Sequence, residues 1–200
     1  MRELKLFIDG EYCDAAGGKT FDSFNPATGE KVATIALGGT DDVTRACAAA
    51  QRAFDGEWGA MDAGSRGAVL RKAAGLLMDR LEEFAELETL DVGKPITETK
   101  NIDIPVTAAY LAWYGDVTLD NLGETIPLPV STQIDFSLRQ PYGVVAGIAP
   151  WNFPLFLAML KIGPALAMGN TVVIKPARIT SMTTLKVAEV FKDAGLPAGA

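Results

Sequence analysis

Residues 141–176, PYGVVAGIAPWNFPLFLAMLKIGPALAMGNTVVIKP, decide the fold of this chain. Lys161 is the only charged residue between Gln140 and Ile174, so most of the segment must be buried in a protein core or in a membrane. A spanning helix needs about 20 continuous apolar residues, but three prolines and two glycines interrupt the first half of the segment. Because prolines break helix interiors, the pattern favours alternating strands and helices over a membrane span.

The apolar runs in and after this segment predict a βαβα unit, with strands at 144–148 and 171–174 and helices at 155–168 and 180–194. Buried strands that alternate with helices are typical of a parallel sheet. Ligands bind at the carboxyl ends of such strands. Asn152 and Lys175 follow the two strands, so we expect both polar residues to lie at one crevice.

The first 140 residues predict a β layer followed by helices. Alternation before the Asp9-Gly10 turn predicts a strand over 4–11, and strands at 21–24 and 32–36 would complete a small antiparallel layer. The predicted helices are 41–54 capped by Thr40, 65–90 capped by Ser65, and 102–119. Residues 123–138 predict an extended, hairpin-like segment, whose apolar face and few charges leave it open to pairing with another strand.

Composition excludes several classes of function. The net charge is −7, which does not match a basic nucleic-acid-binding surface. The chain has no histidine, so it offers neither a Ser–His or Cys–His pair nor a histidine-based zinc site, and we predict no metal site. No apolar leader follows Met1, and the two cysteines share no spacing motif. These features predict reduced thiols and a cytoplasmic location.

The chain resembles the N-terminal portion of the NAD(P)-dependent aldehyde dehydrogenases. The segment quoted above carries the resemblance, together with FNPATGE, ELETLDVGKP, GETIPLP and AGLPAG. The resemblance implies an α/β fold, in which an N-terminal β/α layer leads into the first βαβα of a Rossmann-like parallel sheet. Its expected divisions are 1–122 for the N-terminal part of the coenzyme domain, 123–140 for an oligomerisation hairpin, and 141–200 for the start of the dinucleotide-binding core.

The family oxidises aldehydes to carboxylic acids with NAD or NADP, so the resemblance also implies roles for single residues. It places the side-chain amide of Asn152 in the oxyanion hole and Lys175 at the adenosine ribose. It places the cofactor beside Ile148, Ala149, Pro150, Trp151, Pro176 and Ala177. Three of these residues also have a purely structural interpretation. It is a turn hydrogen bond for Asn152, a solvated ammonium for Lys175, and core packing for Trp151.

Arg178 departs from the common family pattern. Many NAD-preferring relatives have glutamate there, which accepts hydrogen bonds from the ribose and repels a 2′-phosphate. A guanidinium can instead pair with a phosphate, so Arg178 suggests a shift of preference towards NADP. The alternative is an arginine that faces solvent and does not contact the cofactor.

The family's nucleophilic cysteine and general-base glutamate have no counterpart among these residues. Cys13 falls in the β region, and Cys47 in a helix among alanines, where we expect it to be structural. We therefore expect an N-terminal piece of an enzyme, inactive alone, whose full-length parent is a homodimer or homotetramer acting on an aldehyde, with no nucleic-acid or membrane partner. The alternative function is a non-catalytic nucleotide-binding or interaction module.

Overall fold

Five short strands form two small sheets at the N-terminus of the computed structural model, which describes residues 2–120, 122–130 and 132–200. The strands are β1 (Arg2–Leu4), β2 (Leu6–Ile8), β3 (Glu11–Cys13), β4 (Thr20–Phe24) and β5 (Lys31–Ala36). β2 and β3 form an antiparallel hairpin. Both turn residues, Asp9 and Gly10, have positive φ, as a tight hairpin turn requires. The predicted hairpin is therefore confirmed.

The prediction of an entirely antiparallel β layer is wrong at its first strand. β5 pairs antiparallel with β4 but parallel with β1. The run predicted as one strand is two, because β1 joins β5 while β2 turns away to pair with β3. Side-chain alternation has the same period in both directions of pairing, so the sequence pattern could not distinguish them.

Six helices follow, and two predicted boundaries need correction. They are α1 (Thr40–Asp55), α2 (Glu57–Ala60), α3 (Ala63–Asp79), α4 (Leu81–Val92), α5 (Ile96–Glu98) and α6 (Ile104–Asp116). The N-cap of α1 is Gly39, whose N–H donates to Asp42 at 3.0 Å, so Thr40 is the first helical residue. The predicted helix 65–90 is two helices, because Arg80 leaves the helical conformation. Asp62, not Ser65, caps α3.

The apolar stripe predicted for that long helix continues across the break. Leu70, Leu77, Phe84 and Leu87 are all buried, which is why the pattern concealed the end of α3. Gly93 ends α4 with positive φ. The third predicted helix is α6, entered through a π-helical turn (Thr99–Asp103) and left through a 3₁₀ turn (Val117–Leu119).

A short hairpin and a βαβα unit complete the chain. The hairpin pairs β6 (Thr125–Ile126) with β7 (Asp135–Phe136) in antiparallel fashion; position 131 of the predicted segment lies outside the described residues. The unit consists of β8 (Val144–Ile148), α7 (Pro154–Ala167), β9 (Thr171–Lys175) and α8 (Met182–Ala194). β8 and β9 pair in parallel, from Val144 opposite Thr171 to Ile148 opposite Lys175. The predicted parallel sheet is confirmed.

One hydrophobic core holds the βαβα unit against the preceding helices. Its fully buried members include Leu70 of α3, Leu111 of α6, Leu155 of α7 and Val190 of α8. None of the helices in the described part of the chain has the length and apolar character needed to cross a membrane. The core fixes β8 and β9 side by side and leaves their carboxyl ends facing outwards.

Candidate functional site

Two loops meet at the carboxyl ends of β8 and β9. The Asn152 loop (residues 149–153) follows β8, and the Arg178 loop (residues 176–181) follows β9. The N–H of Ala149 donates to the carbonyl of Lys175 at 3.0 Å, which extends the pairing of the strands by one step. The structure therefore brings together the two sequence regions that we predicted would share a crevice.

The nine predicted site residues differ in exposure. Ala149 is buried and Pro176 and Ala177 are half-buried, whereas the other six are exposed: Ile148, Pro150, Trp151, Asn152, Lys175 and Arg178. Trp151 is 57% exposed, which excludes simple core packing as its sole role. A cluster of exposed polar and aromatic groups at strand ends can contact a ligand without any rearrangement of the core.

The Asn152 loop is anchored on both sides of Asn152. The hydroxyl of Thr180 donates to the carbonyl of Trp151 at 3.1 Å, and that of Thr184 lies 3.4 Å from the carbonyl of Pro154. The ammonium of Lys94 lies 3.2 Å from the ring centroid of Phe153, within the range of a cation–π contact. The Asn152 loop is therefore tied to the Arg178 loop, to α8 and to the segment that follows α4.

The side chain of Asn152 is exposed and makes no hydrogen bond to any described residue. Its structural alternative was a turn asparagine that bonds nearby backbone, and no such bond is present among the residues described. An amide on an anchored loop retains two donors for a ligand. These donors are available to a ligand oxygen at the ends of the strands.

Asn170, to which the sequence pattern assigned no role, is buried and engaged in hydrogen bonds. Its side-chain oxygen accepts from the N–H groups of Tyr142 and Gly143 at 2.7 and 3.1 Å, and its amide donates to Ala165. Its backbone carbonyl accepts from the indole of Trp58 at 2.8 Å. A signal existed in the sequence, because an asparagine just before a buried strand must find partners for its amide.

Lys175 and Arg178 extend from the second loop. Among the described residues the ammonium of Lys175 makes one weak contact, to the carbonyl of Pro176 at 3.3 Å, so its other donors are available to hydroxyl or phosphate oxygens. The guanidinium of Arg178 packs over the ring of Phe21, 5.0 Å from its centroid. This contact holds the arginine against β4 and was not visible in the sequence.

A cavity of about 630 Å³ opens beside the second loop. Lys175, Pro176 and Arg178 contribute to its rim, and it continues along β9 and α8 towards α1 and the β2–β3 hairpin. Most of its lining side chains are apolar, including Val172, Ile174 and Leu185. The volume is that of a small-molecule pocket, and three predicted cofactor-binding residues border it.

Two buried carboxylates on α4 lie behind the loops. Glu88 and Asp91 are 0% and 2% exposed. Burial raises the pKa of Glu88 to about 7 and that of Asp91 to about 6, although hydrogen bonds from Thr183 and Met182 oppose the two shifts. A sequence signal was available, because Glu88 follows Phe84 by four residues and so falls on the buried side of the helix.

Neither cysteine lies in the loops that follow β8 and β9. Cys47, which we expected to be structural, is exposed, whereas Ala49, Ala50 and Ala53 form the buried face of α1. Arg45 contacts the sulfur of Cys13 at 3.1 Å, on the side of α1 near β3. Within residues 2–120, 122–130 and 132–200, no group of three or more acidic or cysteine side chains is arranged to hold a metal ion.

Comparison with known proteins gives the same family across almost the whole chain. The model of the aldehyde dehydrogenase family matches residues 12–200. An aldehyde dehydrogenase from Bacillus cereus, solved as its NAD+ complex, is 40% identical with a TM-score of 0.97 over 99% of this chain. An indole-3-acetaldehyde dehydrogenase in complex with NAD+ is 42% identical with a TM-score of 0.96 over all of this chain.

PnpE from Pseudomonas sp. WBC-3 is also 42% identical, with a TM-score of 0.95 over all of this chain. In each of these three comparisons the chain spans 40% of the length of the solved relative. The family match and the superposition include both loops of the site. This chain belongs to the aldehyde dehydrogenase family.

Proposed function

We propose that the residues at the carboxyl ends of β8 and β9 supply the oxyanion donor and one side of the dinucleotide site of an NAD(P)-dependent aldehyde dehydrogenase. The observation that carries the proposal is Asn152, whose exposed amide has no hydrogen bond within the described residues and lies on a loop anchored at Trp151, Phe153 and Pro154. Family membership and the NAD+ complexes of two similar enzymes support the same assignment.

The chemistry of Asn152 follows from its position. When a nucleophile adds to an aldehyde carbonyl, the electron pair of the C=O bond moves to oxygen, and the amide N–H donates to that developing negative charge. We place the nucleophilic cysteine and the general-base glutamate outside these 200 residues. Cys13 lies on β3 and Cys47 on α1, and neither belongs to the loops after β8 and β9. The 200-residue chain alone is then expected to be inactive.

The residues at the strand ends fit one side of a dinucleotide. The free donors of Lys175 suit ribose hydroxyls, and the cavity beside the second loop has apolar walls. The segments Ile148–Trp151 and Pro176–Ala177 would form the backbone and wall of the site. When bound, NAD or NADP supplies the hydride acceptor that oxidation of an aldehyde requires.

Arg178 bears on the choice between NAD and NADP. Its guanidinium is exposed at the rim of the cavity, where it could pair with a 2′-phosphate, although its contact with Phe21 supports a structural role instead. We expect Arg178→Glu to raise the KM for NADP and to lower that for NAD. Arg178→Lys is the matched control, because it keeps the positive charge. If the ratio of kcat/KM for NADP to kcat/KM for NAD is the same in Arg178→Glu as in the unmutated protein, Arg178 does not select the cofactor and has only a structural role.

The test of the function is aldehyde-dependent reduction of NAD and NADP by the complete gene product that carries these residues. We expect absorbance of the reduced nicotinamide to rise only when aldehyde and dinucleotide are both present. If no aldehyde of a broad panel is oxidised but dinucleotide still binds, the alternative of a non-catalytic nucleotide-binding module is correct. Failure to bind dinucleotide would overturn the proposed function and leave, of its alternative, only the interaction module.

A further inference from the structure

An aromatic ring directly follows Asn152 in the first loop of the site. The ring belongs to Phe153, which is half-buried and has a non-helical backbone, although Pro154 begins α7 at the next position. A proline fixes its own φ and restricts the residue before it, so this backbone has few conformations of its own. Asn152 and Phe153 share a peptide bond, and a backbone rotation that moves the ring therefore also moves the amide of Asn152.

Lys94, in the segment between α4 and α5, places its ammonium over the face of this ring. Its Nζ lies 3.2 Å from the centroid of the Phe153 ring, well inside the range of about 6 Å for a cation–π contact. The side chain of Lys94 is only 13% exposed, and a cation that is shielded from water binds an aromatic face more strongly. The contact therefore restrains the ring from the side of the N-terminal helices.

A buried carboxylate holds the ammonium of Lys94 in place. Its Nζ donates to Oδ2 of Asp103 at 2.6 Å, and Asp103 is 3% exposed. Asp103 ends the π-helical turn before α6, and its backbone carbonyl accepts from the hydroxyl of Thr107. Glu98 on α5 lies 3.8 Å from the same ammonium. Lys94 cannot leave the ring without leaving a buried carboxylate unpaired, which is costly.

We propose that Lys94 is a positioning residue for Asn152 and acts through the ring of Phe153; this inference rests on the proposed function of Asn152. On the other side of Asn152, the hydroxyl of Thr180 donates to the preceding backbone carbonyl at 3.1 Å. The amide is thus fixed between two anchors. Loss of the anchor at Phe153 lets the amide move away from the developing negative charge, and a displacement of about 1 Å can lower a rate by about 10²-fold.

Lys186 on α8 offers a matched control. Its ammonium also pairs with two carboxylates, Glu83 at 3.3 Å and Glu189 at 2.8 Å, and its side chain is 26% exposed. These partners lie on α4 and α8 and belong to neither loop of the site. Removal of either ammonium breaks partly buried ion pairs, but only removal of Lys94 is expected to release the ring beside Asn152.

The experiment is a double-mutant cycle on the kcat of the complete gene product, measured at saturating aldehyde and dinucleotide. We expect Lys94→Ala and Phe153→Leu each to lower kcat by about 10- to 10²-fold, while the KM for dinucleotide stays nearly constant. Because both changes break one contact, the double variant should lose about as much as the more severe single variant. Lys186→Ala should keep kcat close to the unmutated value, even where it lowers the unfolding temperature.

Each result decides the proposal. An unchanged kcat in Lys94→Ala, an equal loss in Lys186→Ala, or a double variant whose loss is the product of the two single losses would overturn it. If Lys94→Ala does not fold, the same cycle is measured with Lys94→Met, which fills the space without a charge. If the unmutated protein oxidises no aldehyde, the proposed function fails and this inference with it. An active unmutated protein whose kcat does not depend on Lys94 rejects the positioning role alone.

Discussion

Asn152 and Asn170 belong to the same strand–helix–strand unit but have opposite environments. Asn152 is exposed, and its side-chain amide makes no hydrogen bond to the described residues. Asn170 is 5% exposed, and its side chain forms hydrogen bonds with Tyr142, Gly143 and Ala165. Asn170 therefore joins the start of β8 to the end of α7. We assign the chemistry to the first asparagine and the stability to the second.

We expect Asn170→Ala to lower the free energy of unfolding by about 3 kcal/mol, because it leaves the N–H groups of Tyr142 and Gly143 without an acceptor. Asn152→Ala, at an exposed position, should change that free energy by less than about 0.5 kcal/mol. Urea denaturation of the two variants measures both values. Equal losses of stability would contradict the division of roles.

The sequence identified Asn152 but not Asn170, for a physical reason. Residues beyond parallel strands are exposed at a known edge, so their position follows from the order of strands and helices. The partners of Asn170 are backbone groups on two other segments, which only the folded structure brings together. The same applies to the contact of Arg178 with Phe21, whose residues lie far apart in sequence.

At the scale of elements, α4 links the N-terminal helices to the site. Its apolar stripe was predictable from spacing at three and four residues, and its end at Gly93 from the glycine itself. The break between α3 and α4 at Arg80 was not predictable, because the same apolar stripe continues on both sides of it. The hydrogen bonds that its buried carboxylates accept from Met182 and Thr183 also depend on α8, whose packing against α4 no local pattern shows.

The buried carboxylates of α4 predict how stability depends on pH. The pKa of Glu88 rises from 4.5 to about 7 on folding, so between these values the folded chain holds a proton that the unfolded chain has released. The free energy of unfolding should therefore fall as pH rises from about 4.5 to about 7. Burial is the main cause; Asp103 adds to the shift, while Thr183 and Lys94 oppose it.

We expect Glu88→Gln to flatten this dependence without abolishing it, because Asp91 has a pKa raised to about 6 and contributes in the same direction. Chemical denaturation at several pH values measures the slope. Glu86→Gln is the matched control, since Glu86 is exposed on the same helix and should leave the slope unchanged. An identical slope in unmutated protein and Glu88→Gln would contradict the assignment.

At the scale of the molecule, the β6–β7 hairpin presents an apolar surface. Ile134, Phe136 and Leu138 are exposed, Ile134 by 84%, and the strands are too short to be stable alone in water. The prediction that residues 123–140 mediate oligomerisation remains a proposal, and this exposed surface supports it. A homodimer or homotetramer would cover these side chains.

We expect Phe136→Lys to shift the complete gene product towards monomer, because a charge in an apolar interface is costly to bury. Size-exclusion chromatography with light scattering measures the mass. Met78→Lys, an exposed apolar position on α3, is the control and should keep the unmutated mass. An unchanged mass for Phe136→Lys would place the interface elsewhere.

The central claim is that the amide of Asn152 stabilises the negative oxygen that forms when an aldehyde is attacked. The most direct test is the kcat for aldehyde oxidation by the complete gene product with alanine at position 152, measured at saturating dinucleotide. We expect a loss of about 10²–10³-fold in kcat, with dinucleotide binding and stability nearly unchanged. A kcat equal to that of the unmutated protein would contradict it.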